Sequence, residues 1–196
     1  MLTRLGAWCG VAAGLCVALP SAVEAVTGET APTSFVLALS PALAVPLLVV
    51  LHLRQSAAAG TFGAVAFTAN AVGLGLFGGA AFTLNTTLFF LDDAVVKDLL
   101  KGPTGAALLA SALIFAAGTV LFGTAMLRAR VHPTVPAVAY LVAFPVLAIA
   151  AKLPDTPLTS AVHLAAGGSL VWLSAAVMSS RSPAPAPPAA APPRRA

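Results

Sequence analysis

One histidine lies where a proton or a ligand could be bound. His163 is the only acidic, basic or imidazole side chain well inside an apolar run of this sequence, and ionisable groups within a membrane are commonly functional. Together with Asp155, Asp92 or Asp93 from the same side, it could form a proton-binding or ligand-binding site. The alternative is a neutral imidazole that is hydrogen-bonded to a neighbouring helix or that reaches interfacial water.

Two asparagines, Asn70 and Asn85, lie near the two ends of a single apolar run. A side-chain amide inside a bilayer must find hydrogen-bonding partners, so both are expected to face other helices. Hydrogen bonding between helices is the simpler interpretation. A polar lining for a substrate path is the alternative.

No catalytic, metal or cofactor motif accompanies these residues. Gly73–Gly78 matches the pattern GxGxxG, but it lies inside an apolar run without the strand and the aqueous phosphate that a nucleotide site needs. No two histidines stand three or four residues apart, and there is no HExxH, paired-cysteine or GxSxG motif. We therefore expect no enzyme, no metal and no cofactor.

The composition predicts a membrane protein. The chain is 59% hydrophobic and 8% charged, whereas soluble domains carry about 25% charged residues. A membrane span needs about 20 apolar residues, and continuous apolar runs favour helices over a barrel. The sequence thus predicts an all-α, polytopic transmembrane helical bundle within residues 1–180. Its six expected spans are residues 5–23, 35–53, 62–91, 105–127, 135–151 and 158–179.

The gaps between the runs alternate in charge, as expected of a chain that crosses a bilayer repeatedly. One set of gaps contains only basic residues, and the other contains all the acids. Without the two arginines of the distal tail, the all-basic set of gaps contains five basic residues and the other set contains three. Because the more basic side of a membrane protein faces the cytoplasm, this difference places both termini in the cytoplasm of a cell-membrane protein. The basic set is Arg4, Arg54, Arg128, Arg130, Arg181, Arg194 and Arg195; the other is Glu24, Glu29, Asp92, Asp93, Asp98, Asp155, Lys97, Lys101 and Lys152.

The first run has two interpretations. Residues 1–4, 5–19 and 23–25 resemble the charged, apolar and cleavage regions of a signal peptide, and its removal would leave five spans. Gly6, Gly10 and Gly14 favour a retained helix, because small residues at every fourth position let two transmembrane helices approach closely. Gly75 and Gly79, with Thr68, Ala71 and Thr86, predict a second helix-packing ridge in the third run.

The segments outside the spans are short. Residues 92–101 predict an amphipathic helix on the outer interface, and Gly102 and Pro103 end it. Its apolar stripe contains Val95 and Leu99, and Val96 is left open as a third member. A lid or a cation-attracting mouth is the functional alternative. Residues 181–196 are rich in proline and alanine and predict a disordered cytoplasmic tail.

The stretch Leu121–Pro133 contains Leu-Phe-Gly, then Leu-Arg, a short basic turn and a proline. Over about residues 105–179 it resembles uncharacterised bacterial multi-pass membrane proteins of the DUF4386 type. The tryptophan that usually follows the proline is absent, and Thr134-Val-Pro-Ala stands there. The resemblance implies a bacterial origin and no established activity, and it assigns no catalytic residue.

Two functional classes follow. The first is a non-enzymatic integral membrane protein with a packing, partner-binding or regulatory role. Its partners would be the lipid bilayer and a second copy or another membrane protein. Nucleic acid is excluded, because the basic residues are spread singly. The alternative is a small transporter or channel with a polar path through Asn70, Asn85 and His163. Convergence of these three on one water-accessible cavity would favour the transporter.

Overall fold

Helices form almost all of the chain that the structure describes. The computed structural model describes residues 1–150 and 157–179, which contain helices and no strand. The predicted all-helical fold is therefore confirmed for these residues. A short 3₁₀ turn, Leu88–Phe90, precedes α3. The helices are α1 Leu2–Thr27, α2 Ala31–Thr86, α3 Asp93–Lys101, α4 Pro103–Ala129, α5 Thr134–Ala150 and α6 Pro157–Ser179.

The longest helix, α2, is broken at Gly60. This residue has φ 53° and ψ −146°, a backbone conformation that is open to glycine and costly for residues with a Cβ atom. The 56 residues of α2 would otherwise form a rod of about 84 Å. The break turns the second half back along the first. The rings of His52 and Phe67 stack at 4.2 Å near the bend, and those of Phe35 and Phe90 lie 5.8 Å apart at the far ends.

Helix α1 packs closely against α2 and α6 through its glycines. A Cβ atom added to Gly6 would lie 2.8 Å from the carbonyl oxygen of Pro46 in α2. One added to Gly14 would lie 2.5 Å from the carbonyl oxygen of Gly167 in α6, and the reverse distance is also 2.5 Å. Gly10 lies between these two contacts, and a Cβ atom added to it would lie 2.5 Å from the side chain of Leu47. The backbones therefore meet where the sequence pattern placed close packing.

The second predicted packing ridge needs correction. A Cβ atom added to Gly75 or Gly79 would have no heavy atom within 4 Å. The helix instead meets α4 through Gly73, where the added atom would lie 2.6 Å from the Cα of Phe115. Two residues along a helix correspond to about 200° of rotation, so Gly75 points almost opposite to Gly73. The small size of glycine does not by itself show which face of a helix contacts the neighbouring helix.

The charged residues gather at the two ends of the bundle. Arg54 donates from Nη1 to the carbonyl oxygen of Val177 at 3.1 Å, and the Arg128 guanidinium lies 5.0 Å from the centre of the Phe62 ring. We call this the basic end. Because consecutive long helices run antiparallel, the described acidic residues all lie at the opposite, acidic end. Lys152, Asp155 and the predicted tail, residues 181–196, lie outside the described residues.

Within residues 1–150 and 157–179, four helical segments are long and apolar enough to cross a membrane by length and composition. The two halves of α2 form one of these segments, and α5 is a shorter apolar helix. This composition is compatible with a membrane-embedded protein, but length alone does not give the six spans expected from the sequence. The segments are Leu2–Thr27, Ala31–Phe90, Pro103–Ala129 and Leu158–Ser179, and the shorter helix is Thr134–Ile149.

Two alanine substitutions in α2 test the assigned packing face. Gly73→Ala should lower the free energy of unfolding by about 1–3 kcal/mol, the usual cost of overpacking, because the new methyl group meets the backbone of Phe115. Gly75→Ala should be neutral or stabilising by up to about 1 kcal/mol, since alanine is the better helix former. Unfolding midpoints of both variants in one detergent check this. A loss of stability in Gly75→Ala as large as in Gly73→Ala would contradict the assigned face.

Candidate ligand-binding cavity at the acidic end

A cavity of about 430 Å³ opens at the acidic end of the bundle. Its volume lies within the range of about 300–1,000 Å³ that is typical of small-molecule sites. The polar residues of the lining include Glu24, Glu29, Asn85 and His163. Most of the remaining lining is apolar, and α1, α2, α4, α5 and α6 all contribute to it. The apolar residues include Val17, Leu37, Leu74, Phe77, Phe115, Phe144, Leu147 and Leu170.

The turn between α1 and α2 brings the two glutamates to this opening. Gly28, with φ 74°, follows the last residue of α1, and Thr30 and Thr33 form a capping box that begins α2. Glu29 lies within this tight connection. Its Oε1 accepts a hydrogen bond of 2.7 Å from the Ser34 hydroxyl, and a carboxylate is stabilised at a helix N-terminus. The carboxylate of Glu29 is therefore held in place although the residue is exposed.

His163 and Asn85 lie in the same cavity, and each bonds to its own helix. The carbonyl oxygen of Thr159 accepts a hydrogen bond of 2.8 Å from Nδ1 of His163. In a neutral ring that donates through Nδ1, Nε2 is an acceptor. The side-chain nitrogen of Asn85 donates to the carbonyl oxygen of Ala81 at 2.8 Å, which leaves its Oδ1 available to accept.

A chain of contacting aromatic rings runs from the cavity floor towards the basic end. Phe77 and Phe115 stack with centroids 4.6 Å apart, and Phe115 meets Phe144 edge to face at 6.0 Å. The ring centroids of Phe144 and Tyr140 lie 4.8 Å apart, and those of Tyr140 and Phe122 lie 6.3 Å apart. Phe122 and Phe67 follow at 6.5 Å, and Phe67 stacks on His52 at 4.2 Å. We call it the aromatic column, and it runs from the cavity lining to His52 near the bend of α2. Its members are Phe77, Phe115, Phe144, Tyr140, Phe122, Phe67 and His52.

Asn70 contacts the aromatic column through Tyr140 and is not part of the cavity lining. It is completely buried, and its side-chain nitrogen donates to the hydroxyl of Tyr140 at 2.6 Å. Its Oδ1 has no hydrogen-bonding partner among the described residues. Of the three residues proposed for a polar path, the structure thus brings Asn85 and His163 together, whereas Asn70 lies beyond the cavity floor.

The aspartates that the sequence suggested as partners for His163 do not line the cavity. Asp92 and Asp93 are exposed, and helix α3 contributes Val96 to the lining. Asp155 lies outside the described residues. The α3 helix is present as expected, but Val95 and Leu99 are exposed, while Val96 and Leu100 are half-buried. The inward face of α3 therefore contains Val96, which the prediction left open, and not Val95 or Leu99.

Glu24 and Glu29 were not predicted as site residues from the sequence. Both looked like ordinary acids at the end of a span. The signal that could have found them is their position on either side of a very short connection, because such a connection brings both to the axis of the bundle. His163 lies at the same end of the bundle because it is near the start of α6.

A second group of buried polar side chains lies at the basic end. Gln55 is completely buried, and neither its Nε2 nor its Oε1 has a hydrogen-bonding partner among the described residues. His132, in the turn between α4 and α5, bonds through Nε2 to the carbonyl oxygen of Leu51 at 3.2 Å. Burial lowers the pKa of His132; the bond to Leu51 partly opposes this effect, and the charge of Arg54 adds to the lowering.

Among the described residues, no group of three or more His, Cys, Asp or Glu side chains could hold a metal ion. Comparison with protein-family models, curated proteins and solved structures finds no match. The fold and the site thus define the class by themselves. The part of the chain that the structure describes is all-helical and of membrane-type composition, with an amphipathic cavity at its acidic end.

The lowered pKa of His132 predicts a loss of stability in acid. The unfolded chain binds a proton at this residue near pH 6.5, and the folded protein binds it only at lower pH. The free energy of unfolding should therefore decrease as the pH falls below about 6.5. His132→Gln keeps an N–H donor for Leu51 and cannot be protonated, so its stability should fall less. Unfolding midpoints of both proteins between pH 5 and pH 8 measure the difference, which parallel curves would disprove.

Proposed function

We propose that this protein is a non-enzymatic integral membrane protein that crosses the cell membrane six times and binds a small molecule in the cavity at its acidic end. The observation that carries the proposal is the cavity itself, which combines a polar opening with an apolar, aromatic interior. Small-molecule sites typically have this composition, with a few polar groups that orient a largely apolar ligand. Such binding would serve a regulatory or partner-binding role.

The break at Gly60 supports six crossings. It divides α2 into residues 31–59 and 61–86, which at 1.5 Å per residue are roughly 44 and 39 Å long. Each half is thus long enough for a hydrocarbon core of about 30 Å. Helix α5 covers about 25 Å and completes the alternation of basic and acidic ends. The arginines of the basic end favour the cytoplasm for that end and for both termini.

The contacts of α1 support its retention as a span. Its glycines pack against the backbones of α2 and α6, and Val17 and Glu24 form part of the cavity lining. Removal of residues 1–25 as a signal peptide would open one side of the cavity and expose the glycine-packed faces of the two neighbours.

Transport is the second candidate function. It is favoured by the joint presence of Asn85 and His163 in the cavity lining and by the polar pair of Asn70 and Tyr140 beyond the floor. A small void of about 20 Å³, lined in part by Tyr140, Phe144 and Phe115, lies between these two levels. The aromatic column would have to move for a substrate to pass. The family resemblance over residues 105–179 stays a prediction and adds no activity.

Filling the cavity tests the binding function. Ala81 lines the cavity, so Ala81→Phe should occupy part of the ligand's space. Ala64→Phe places the same side chain at an exposed position of the same helix and serves as the control. The experiment screens drug-sized amphiphiles for a saturable rise in unfolding midpoint, with each protein in lipid nanodiscs. A ligand should stabilise the parent and Ala64→Phe but not Ala81→Phe. Absence of any ligand, or equal effects in all three proteins, would refute the proposal.

Cysteine labelling tests the orientation. In a background without Cys9 and Cys16, Asp98→Cys should react with a membrane-impermeant maleimide added to intact cells. Arg130→Cys should react only after the cells are permeabilised, because the basic end faces the cytoplasm. Labelling of Arg130→Cys in intact cells, with Asp98→Cys protected, would reverse the proposed topology.

A further inference from the structure

We infer that the cavity at the acidic end binds an amphiphilic organic amine, whose protonated nitrogen lies at the polar opening and whose apolar part lies among the phenylalanines. The inference deepens the proposed function and rests on it. It names the chemical class of the ligand, which neither the sequence motifs nor the fold provides.

The charge of the lining favours a cation. Two carboxylates, those of Glu24 and Glu29, contribute to it, and no Lys or Arg is among the described lining residues. The Glu29 carboxylate is oriented by the Ser34 hydroxyl and stays exposed to an incoming ligand. An anionic ligand would meet the carboxylate of Glu29 with no Lys or Arg among the described lining residues to compensate its charge, and like charges at close range repel each other.

The hydrogen bonds of the polar lining residues favour a donor. His163 donates through Nδ1 to the carbonyl oxygen of Thr159 in its own helix, and in the neutral ring its Nε2 is an acceptor. Ser40, also in the lining, donates its hydroxyl hydrogen to the carbonyl oxygen of Ala13 at 3.1 Å. Asn85 retains its Oδ1 and one N–H. Most of the remaining capacity is therefore for accepting hydrogen bonds, and a protonated amine offers up to three N–H donors and no acceptor.

The interior favours an aromatic or aliphatic body. Phe77, Phe115 and Phe144 line it together with aliphatic side chains, and Phe89 lies near the opening, where an aromatic face also attracts cations. A bare metal ion or a small polar solute would leave this apolar surface unfilled. A ligand that is apolar at one end and cationic at the other matches both parts of the lining.

Three probes that share one apolar body separate charge from shape. They are 3,3-diphenylpropylamine, 3,3-diphenylpropan-1-ol and 3,3-diphenylpropanoic acid, which are cationic, neutral and anionic at pH 7.5. Saturable shifts of the unfolding midpoint in phosphatidylcholine nanodiscs give the apparent affinities. Ala81→Phe reports the shift that comes from partition into the bilayer alone. The amine should bind at least tenfold more tightly than the acid, and the alcohol should lie between them.

A charge-matched pair of variants assigns the preference to the cavity. Glu29→Gln keeps an acceptor for Ser34 and removes the charge, so it should weaken amine binding by roughly threefold, as for an exposed ion pair, and leave the alcohol unchanged. Asp93→Asn makes the same change of net charge at an exposed position outside the lining and should leave both affinities unchanged.

The possible failures are distinguishable. If the acid or the alcohol binds as tightly as the amine, the cavity binds ligands without preference for a cation, and the inference fails while the proposed function stands. If no probe gives a shift beyond that of Ala81→Phe, both fail for ligands of this size. If Glu29→Gln and Asp93→Asn weaken amine binding equally, the effect belongs to the field of the whole acidic end, and the role given to Glu29 is wrong.

Discussion

The architecture depends on one backbone conformation, the positive φ of Gly60. Without it α2 would continue as a single rod, and its second half would lie far from α1 and α6. The bend returns Asn85 to the level of Glu29 and His163, and it sets Gly73 against the backbone of α4. Each of these contacts joins residues far apart in sequence through an angle that a residue with a Cβ atom adopts only at a cost.

In this bundle the helices pack closely through their backbones, and many polar side chains form hydrogen bonds within their own helix. The glycines of α1, α4 and α6 let backbones approach, which places small residues on the helix-facing surfaces. Several hydroxyl and amide groups then donate to carbonyl oxygens of their own helices, as Thr68, Thr83 and Asn85 do. Such bonds satisfy a donor without a partner on another helix. Among the described residues, Asn70 and Tyr140 form a buried hydrogen bond between side chains of two helices, and most of the helix packing described above is between backbones and apolar side chains.

The helices were easier to predict from the sequence than the face that each helix turns to its neighbours and the residues at which the helices contact one another. Runs of apolar residues predict the helical segments, and Gly102 and Pro103 predict the end of α3. The connection expected at residues 54–61 is instead helical except at Gly60, so the apolar pattern did not show how short that turn is. The face of each helix is harder to predict, because α2 has apolar residues on every side and carries glycines on two faces. For that reason the small-residue pattern predicts the face of Gly75, whereas α2 packs on α4 through Gly73. The site was half predictable: His163 and Asn85 stand out as polar residues in apolar runs, whereas Glu29 joins them only through the tight turn before α2.

The aromatic column has a consequence for the membrane that would surround this protein. Its rings contact one another from the cavity lining to His52, so they fill one strip of the bundle interior with largely apolar surface. Moving an ion from water into apolar surroundings costs free energy unless the ion is paired. In the proposed membrane setting, an ion that followed this strip would lose its water without gaining a charged partner from the phenylalanine rings, so the column opposes ion passage along its own path.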